Sequence, residues 1–154
     1  MGWRHRVPVL AAALWWGGLT AIGALAVPLL FATLPSPALA GQAAARLFSA
    51  QAWVGLACGL VLLVASRDST SRMEWAGGAL AFVLAGMLLA LLGEFAVAPR
   101  IVARENLRLW HTVGTALYAL QWACALVVLW RVAGSAKRDG HPGESRDLDD
   151  QAGR

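Results

Sequence analysis

"VPLLFATLPSPALAGQAAARLF", residues 27–48, decides the fold. It follows a long apolar run and contains Ala38, Leu39, Ala40 and Gly41, the A-x-A pattern after which signal peptidase cuts. Read as a cleavage site, it leaves a small secreted domain; read as a turn between helices, it makes the chain an integral membrane protein. The preceding run argues for the turn. From Val7 to Ala45 there is no charged residue and no histidine, and a helix from Val7 to Phe31 would rise ~37 Å at ~1.5 Å per residue, enough to cross a bilayer with some tilt. A signal peptide shares the basic start, here Arg4, His5 and Arg6, but its apolar region is only about 7 to 15 residues long. Pro35, Ser36 and Pro37 stand where a helix has to stop, so Leu34 to Gly41 is predicted as an uncleaved interfacial turn.

The remainder repeats the signal. Of 154 residues, 58% are hydrophobic and 14% charged, more apolar surface than a soluble chain of this size can bury. Four spans are expected, Val7 to Phe31, Leu47 to Ala65, Trp75 to Val97 and Trp110 to Trp130, with polar breaks at "SRDSTSRME" (66–74) and "APRIVARENLR" (98–108). The expected fold is therefore all-α, an integral membrane four-helix bundle over 1–132. The tail from Ala133 to Arg154 is too polar to pack and is predicted to be disordered. "ACGLVLL" (57–63) resembles "ACALVVL" (123–129), and "AVPLLF" (26–31) and "VAPRIV" (97–102) each close an odd-numbered span. Chance matches come easily in apolar sequence, so two tandem helical hairpins stand as one reading of these similarities.

Orientation follows from Lys and Arg near the span ends. Arg4, Arg6, Arg67, Arg72, Arg131, Lys137 and Arg138 fall on the side of the termini, against Arg46, Arg100, Arg104 and Arg108 opposite. That bias places both termini in the cytoplasm, and a bacterial inner membrane is the expected location. The net charge of +4 is spread around the spans and forms no basic face, so lipid is the expected partner and nucleic acid is not. Trp3, Trp75, Trp110 and Trp130 mark span ends, while Trp15, Trp16, Trp53 and Trp122 lie deeper and are expected to pack. Small residues mark expected helix contacts: Ala13, Gly17 and Ala21; Gly55 and Gly59; Gly77, Ala81 and Ala85. The same faces suit a homo-oligomer.

"LWWGGLTAIGALAVPLLFATLPSPALAGQAAARLF" (14–48), "RLFSAQAWVGLACGLVLL" (46–63) and "VAPRIVARENLRLWHTVGTALY" (97–118) resemble the bacterial members of the transmembrane-protein-205-like domain family. The resemblance runs from Val9 to Trp130, and its distinctive positions are Pro28, Phe31, Pro99, Trp110 and His111. It implies a four-span membrane protein. It implies no reaction and no catalytic residues, because that domain has no assigned function.

Function must then be sought in polar groups at membrane depth, where burial without a partner is costly. Glu94 follows an uncharged run from Trp75 to Gly93, and its helical face continues through Ala90, Gly86 and Ala79. On the last span His111, Gly114, Thr115, Tyr118 and Gln121 fall within an arc of about 120°. Glu94, His111, Thr115 and Tyr118, with Arg46, Arg100 and Arg108, share the side away from the termini and form a candidate polar site for a proton, an ion or an anionic headgroup. Two readings compete: Glu94 pairs with Arg46, Arg108 or His111 to close the bundle, or it binds a ligand.

The main alternative is a redox or metal-handling protein holding haem or copper. "LWWGGL" (14–19) bears a slight resemblance to the copper-resistance membrane proteins. Yet His5 and His111 are expected a membrane thickness apart, ~30 Å, so one haem cannot use both. Cys58 and Cys124 have no CxxC or His neighbour and read as buried free thiols. No Ser-x-x-Lys, H-E-x-x-H or phosphate-binding glycine loop is present. A non-enzymatic bundle without cofactor or metal is the leading expectation.

Overall fold

The computed structural model describes residues 3–67, 74–103 and 105–138. Ser36 is the residue on which the first hairpin turns. Its backbone is extended, its Oγ accepts from the Leu39 N–H at 3.3 Å, and Pro37 occupies the first helical position, where its missing N–H costs nothing. The turn is thus confined to residues 34–36, and Ala38 to Gly41 belong to the first turns of the next helix, with Ala40 fully buried. The second span begins at Pro37 and not at Leu47.

The first span comprises α1 (Trp3–Thr20), a π-helical segment (Ala21–Ala26) and α2 (Val27–Thr33). The second is α3 (Pro37–Ser66). The third comprises α4 (Glu74–Leu92), a π-helical segment (Gly93–Val97) and α5 (Ala98–Val102), and the fourth is α6 (Leu107–Arg138). Four stretches of these helices, Arg6–Thr33, Pro37–Ser66, Gly78–Val102 and Leu107–Ser135, are long and apolar enough to cross a membrane. The last helix continues to Arg138, so residues 133–138 of the predicted disordered tail are helical; 139–154 lie outside the described residues.

Each helix packs on its chain neighbours and the fourth closes the ring against the first, giving an up-down-up-down four-helix bundle. The core consists of Ala12, Trp15, Leu19, Cys58, Leu62, Ala79, Val83, Ala125 and Val128. The outer faces are as apolar as the inner, with Leu14, Leu29, Leu60, Val64, Leu84, Leu88 and Leu120 exposed. Such an outward surface suits a bilayer, not water.

At the centre stands Trp15, fully buried. A Cβ built on Gly55 of α3 would lie 2.8 Å from its Nε1, and one on Gly86 of α4 would lie 2.7 Å from its Cη2. The ring therefore spans the bundle axis from the second helix to the third, and only glycine lets both helices approach it. Not every expected small-residue face serves this packing. Ala13 and Ala21 are exposed and nothing lies near Gly17, so that stripe looks outward; on α4 the buried positions are Ala79, Val83, Gly86 and Ala90, while Ala81 is exposed. Trp53, expected to pack inside, is 56% exposed.

A Gly86→Ala substitution should cost about 1–3 kcal/mol, because the ring and the neighbouring helices must shift to admit a methyl group. Gly17→Ala should be neutral or slightly stabilising. Unfolding of the detergent-solubilised protein, followed by circular dichroism during titration with a denaturing detergent, distinguishes the two; equal midpoints would contradict the Trp15 wedge.

Candidate functional site

Two prolines shape the polar part of the molecule. Pro28 and Pro99 cannot donate a backbone hydrogen bond, and each ring crowds the carbonyl four residues back. The helix widens just before each. Val27 N–H bonds to Ile22 O and Ala98 N–H to Gly93 O, both reaching five residues back. Such π-segments redirect side chains and recur at functional sites.

In the third span the redirected residue is Glu94. It is half-buried, and its Oε1 accepts a hydrogen bond from Ser49 Oγ of α3 at 2.6 Å. One turn along α3 from Ser49, Trp53 meets Phe95 edge to face, with ring centroids 6.4 Å apart and planes at 90°. A polar rung and an aromatic rung thus cross the same seam. Glu94 lies ~13 Å along its helix from the turn at Ala103, at ~1.5 Å per residue, and so within the span.

In the first span the corresponding widening receives Tyr118 of α6. Its ring sits so close to Gly23 that a Cβ there would be 2.9 Å from Cε1, and its hydroxyl donates to Leu19 O at 2.7 Å. Phe48 packs edge-on against it at 5.1 Å. One turn further along α6, Trp122 Nε1 donates to Thr20 Oγ1 at 2.8 Å, which donates to Trp16 O at 2.9 Å.

The other predicted site residues are not gathered around Glu94. Arg100 lies over the Trp110 ring, 4.4 Å from its centroid. Arg46, Arg108, His111 and Thr115 are exposed, and the Thr115 hydroxyl donates to the His111 carbonyl of its own helix at 2.8 Å. The third and fourth spans meet here through Gly114, against Val97 and Ile101. Pairing of Glu94 with Arg46, Arg108 or His111 is therefore not what the structure shows: its hydrogen-bond partner is Ser49, and among the described residues it forms no ion pair. The physical reason is where the side chains stand: Glu94 reaches Ser49 of α3, while Arg46, Arg108 and His111 are exposed. Of the family-like positions, Pro28 and Pro99 set the widenings, Trp110 carries Arg100, and Phe31 is 52% exposed.

Sequence reasoning missed Ser49 and Gln51. Gln51 and Gln121 are 4% and 5% exposed and flank the Trp15 wedge. Gln51 Nε2 reaches Trp15 O at 3.5 Å, a long bond, whereas Trp15 Nε1 and Gln121 Nε2 are buried without a partner. A polar residue within an otherwise apolar helix was the available signal for both. For the metal alternative, His5 begins the first span and His111 the fourth, at opposite ends of the bundle. Cys58 is buried in α3 and Cys124 half-buried in α6, and among the described residues no three of His, Cys, Asp and Glu cluster.

The fold and its apolar exterior define a multi-pass, four-span helical membrane protein. Residues 10–109 match the model of the family described as Domain of unknown function (DUF4149), and the chain belongs to that family. The match supports a domain of unassigned function and does not carry the transmembrane-protein-205-like name. No curated protein matches the chain, and no solved structure does.

Tyr118→Phe should lower stability by about 1 kcal/mol, the worth of one hydrogen bond. Gln121→Met should leave it unchanged or raise it, since the substitution removes a buried donor that has no partner. Both effects are read from the same detergent titration as above; a large loss in Gln121→Met would show that its amide is satisfied and needed.

Proposed function

We propose that this domain is a non-enzymatic membrane bundle that binds a cation at Glu94, exchanging it for a proton. The observation that carries the reading is the Glu94–Ser49 hydrogen bond of 2.6 Å inside the third span. A carboxylate at this depth, without a cationic side chain against it among the described residues, is costly when charged and empty. Protonation or a bound cation removes that cost. The charged groups nearest along the chain are Arg46, exposed one turn before Ser49, and Arg100, held on Trp110. Neither neutralises Glu94 at contact. Ser49 supplies a hydroxyl that donates to the carboxylate or accepts from the carboxylic acid, so the site suits both states.

Dicyclohexylcarbodiimide, which adds only to a protonated carboxyl, should modify Glu94 in detergent-solubilised protein, as read by peptide mass spectrometry. Glu94→Gln should abolish the labelled peptide with the fold intact. A folded wild-type protein unlabelled at Glu94 at every pH would defeat the reading.

Both termini are proposed to face the cytoplasm of a bacterium, on the strength of the arginines and lysine at that end of the bundle. A reporter active only outside the cytoplasm should be silent when fused after Ser66 or Ala133 and active within residues 35–42. Activity after Ala133 would reverse the orientation.

A further inference from the structure

We infer that the cation taken by Glu94 is a lipid-soluble organic one, an ammonium or phosphonium with apolar substituents, entering from the bilayer side of the seam between the second and third spans. This rests on the cation reading above and names its ligand class. The first observation is the donor set. Glu94 and Ser49 bring one carboxylate and one hydroxyl to this seam, whereas calcium requires 6–8 oxygen ligands and magnesium a full octahedron. An organic cation asks for neither; its charge is spread and its shell is apolar.

The second observation is the aromatic pair. Trp53 and Phe95 are 56% and 64% exposed, although both lie inside spans and meet each other edge to face. Phe95 follows Glu94 directly, and Trp53 stands one turn from Ser49. Aromatic rings attract organic cations by the cation–π interaction, which strengthens where water is excluded, and these two border the seam that Ser49 and Glu94 cross. The third observation is access. Trp15 is fully buried across the axis, so the interior is closed at mid-depth, while Trp53 and Phe95 look outward. The approach is lateral. Arg46 lies on the hairpin side of Ser49 and repels cations there, which leaves the Trp53 side as the favourable one.

The same chemistry belongs to a free lipophilic cation and to the choline headgroup of a lipid, and the experiment separates them. Tetraphenylphosphonium binding is measured by equilibrium dialysis on the full chain in maltoside detergent, with protection of Glu94 from carbodiimide as a second readout. The expected result is saturable one-to-one binding that protects Glu94. Glu94→Gln should abolish binding, and a double Trp53→Leu, Phe95→Leu variant should weaken it about tenfold while Glu94 is still labelled. Leucine keeps the apolar surface, and circular dichroism with a monodisperse elution profile checks the fold of each variant. Competition by a short-chain phosphatidylcholine at similar concentration would assign the site to a lipid headgroup; no competition would assign it to a free cation, and either supports the inference. Glu94 labelling without tetraphenylphosphonium protection would overturn the inference and leave the cation reading standing, as would equal protection by sodium or potassium. Absence of labelling in folded protein would remove both. Unaltered binding in the aromatic double variant would also overturn the inference.

Discussion

The Trp15 indole, held between Gly55 and Gly86, is the contact on which the rest of the bundle depends. Helices in a bilayer gain nothing from hiding apolar surface from lipid tails, so their association rests on close packing and on hydrogen bonds. One rigid ring placed on the axis touches the second and third helices, while the Gln121 amide of the fourth borders the same notch at Gly55. Leu19, Leu62, Val83 and Val128 fill in around it. The buried indole also closes the bundle axis between the hairpin turns and the termini.

Proline supplies the second constraint. A proline inside a membrane helix removes one backbone bond, and the freed groups need new partners. Here the helix answers by widening in both odd spans, and each widening is filled by a neighbour: the Tyr118 ring and hydroxyl in one, Ser49 against Glu94 in the other. In the register that superposes Pro28 on Pro99, Trp15 corresponds to Gly86 and Gly23 to Glu94. Where one hairpin supplies the bulky group, the other supplies the space or the charge.

The energetic cost in this molecule is concentrated in a few groups. Trp15 Nε1 and Gln121 Nε2, with Trp16 Nε1, are buried donors without partners among the described residues, a cost of about 1–3 kcal/mol each. Glu94 is a carboxyl group at membrane depth with one hydroxyl against it. The first two lie against the packing centre, where shape dominates. Glu94 lies half-buried at the seam between the second and third spans, which Trp53 and Phe95 also cross.

The four spans and the all-α class were legible in the sequence, because a bilayer leaves an uncharged run such as Val7 to Ala45 no other stable form. The first hairpin turn was legible too, as Pro35-Ser36-Pro37, though its length was not: Ser36 capping α3 draws Pro37 to Gly41 into helix. Glu94 stood out as the only acidic residue between Trp75 and Val102. What remained hidden was the side each residue faces. Every face of these helices is apolar, so periodicity distinguishes lipid-facing positions poorly from packed ones, and Ala13, Gly17, Ala21 and Trp53 were misjudged for that reason. The π-turns add a rotation that an ideal 100° step does not contain, and Glu94, inside one of them, meets Ser49 and not His111. Only the packing of four helices around Trp15 decided which of the small and polar residues met.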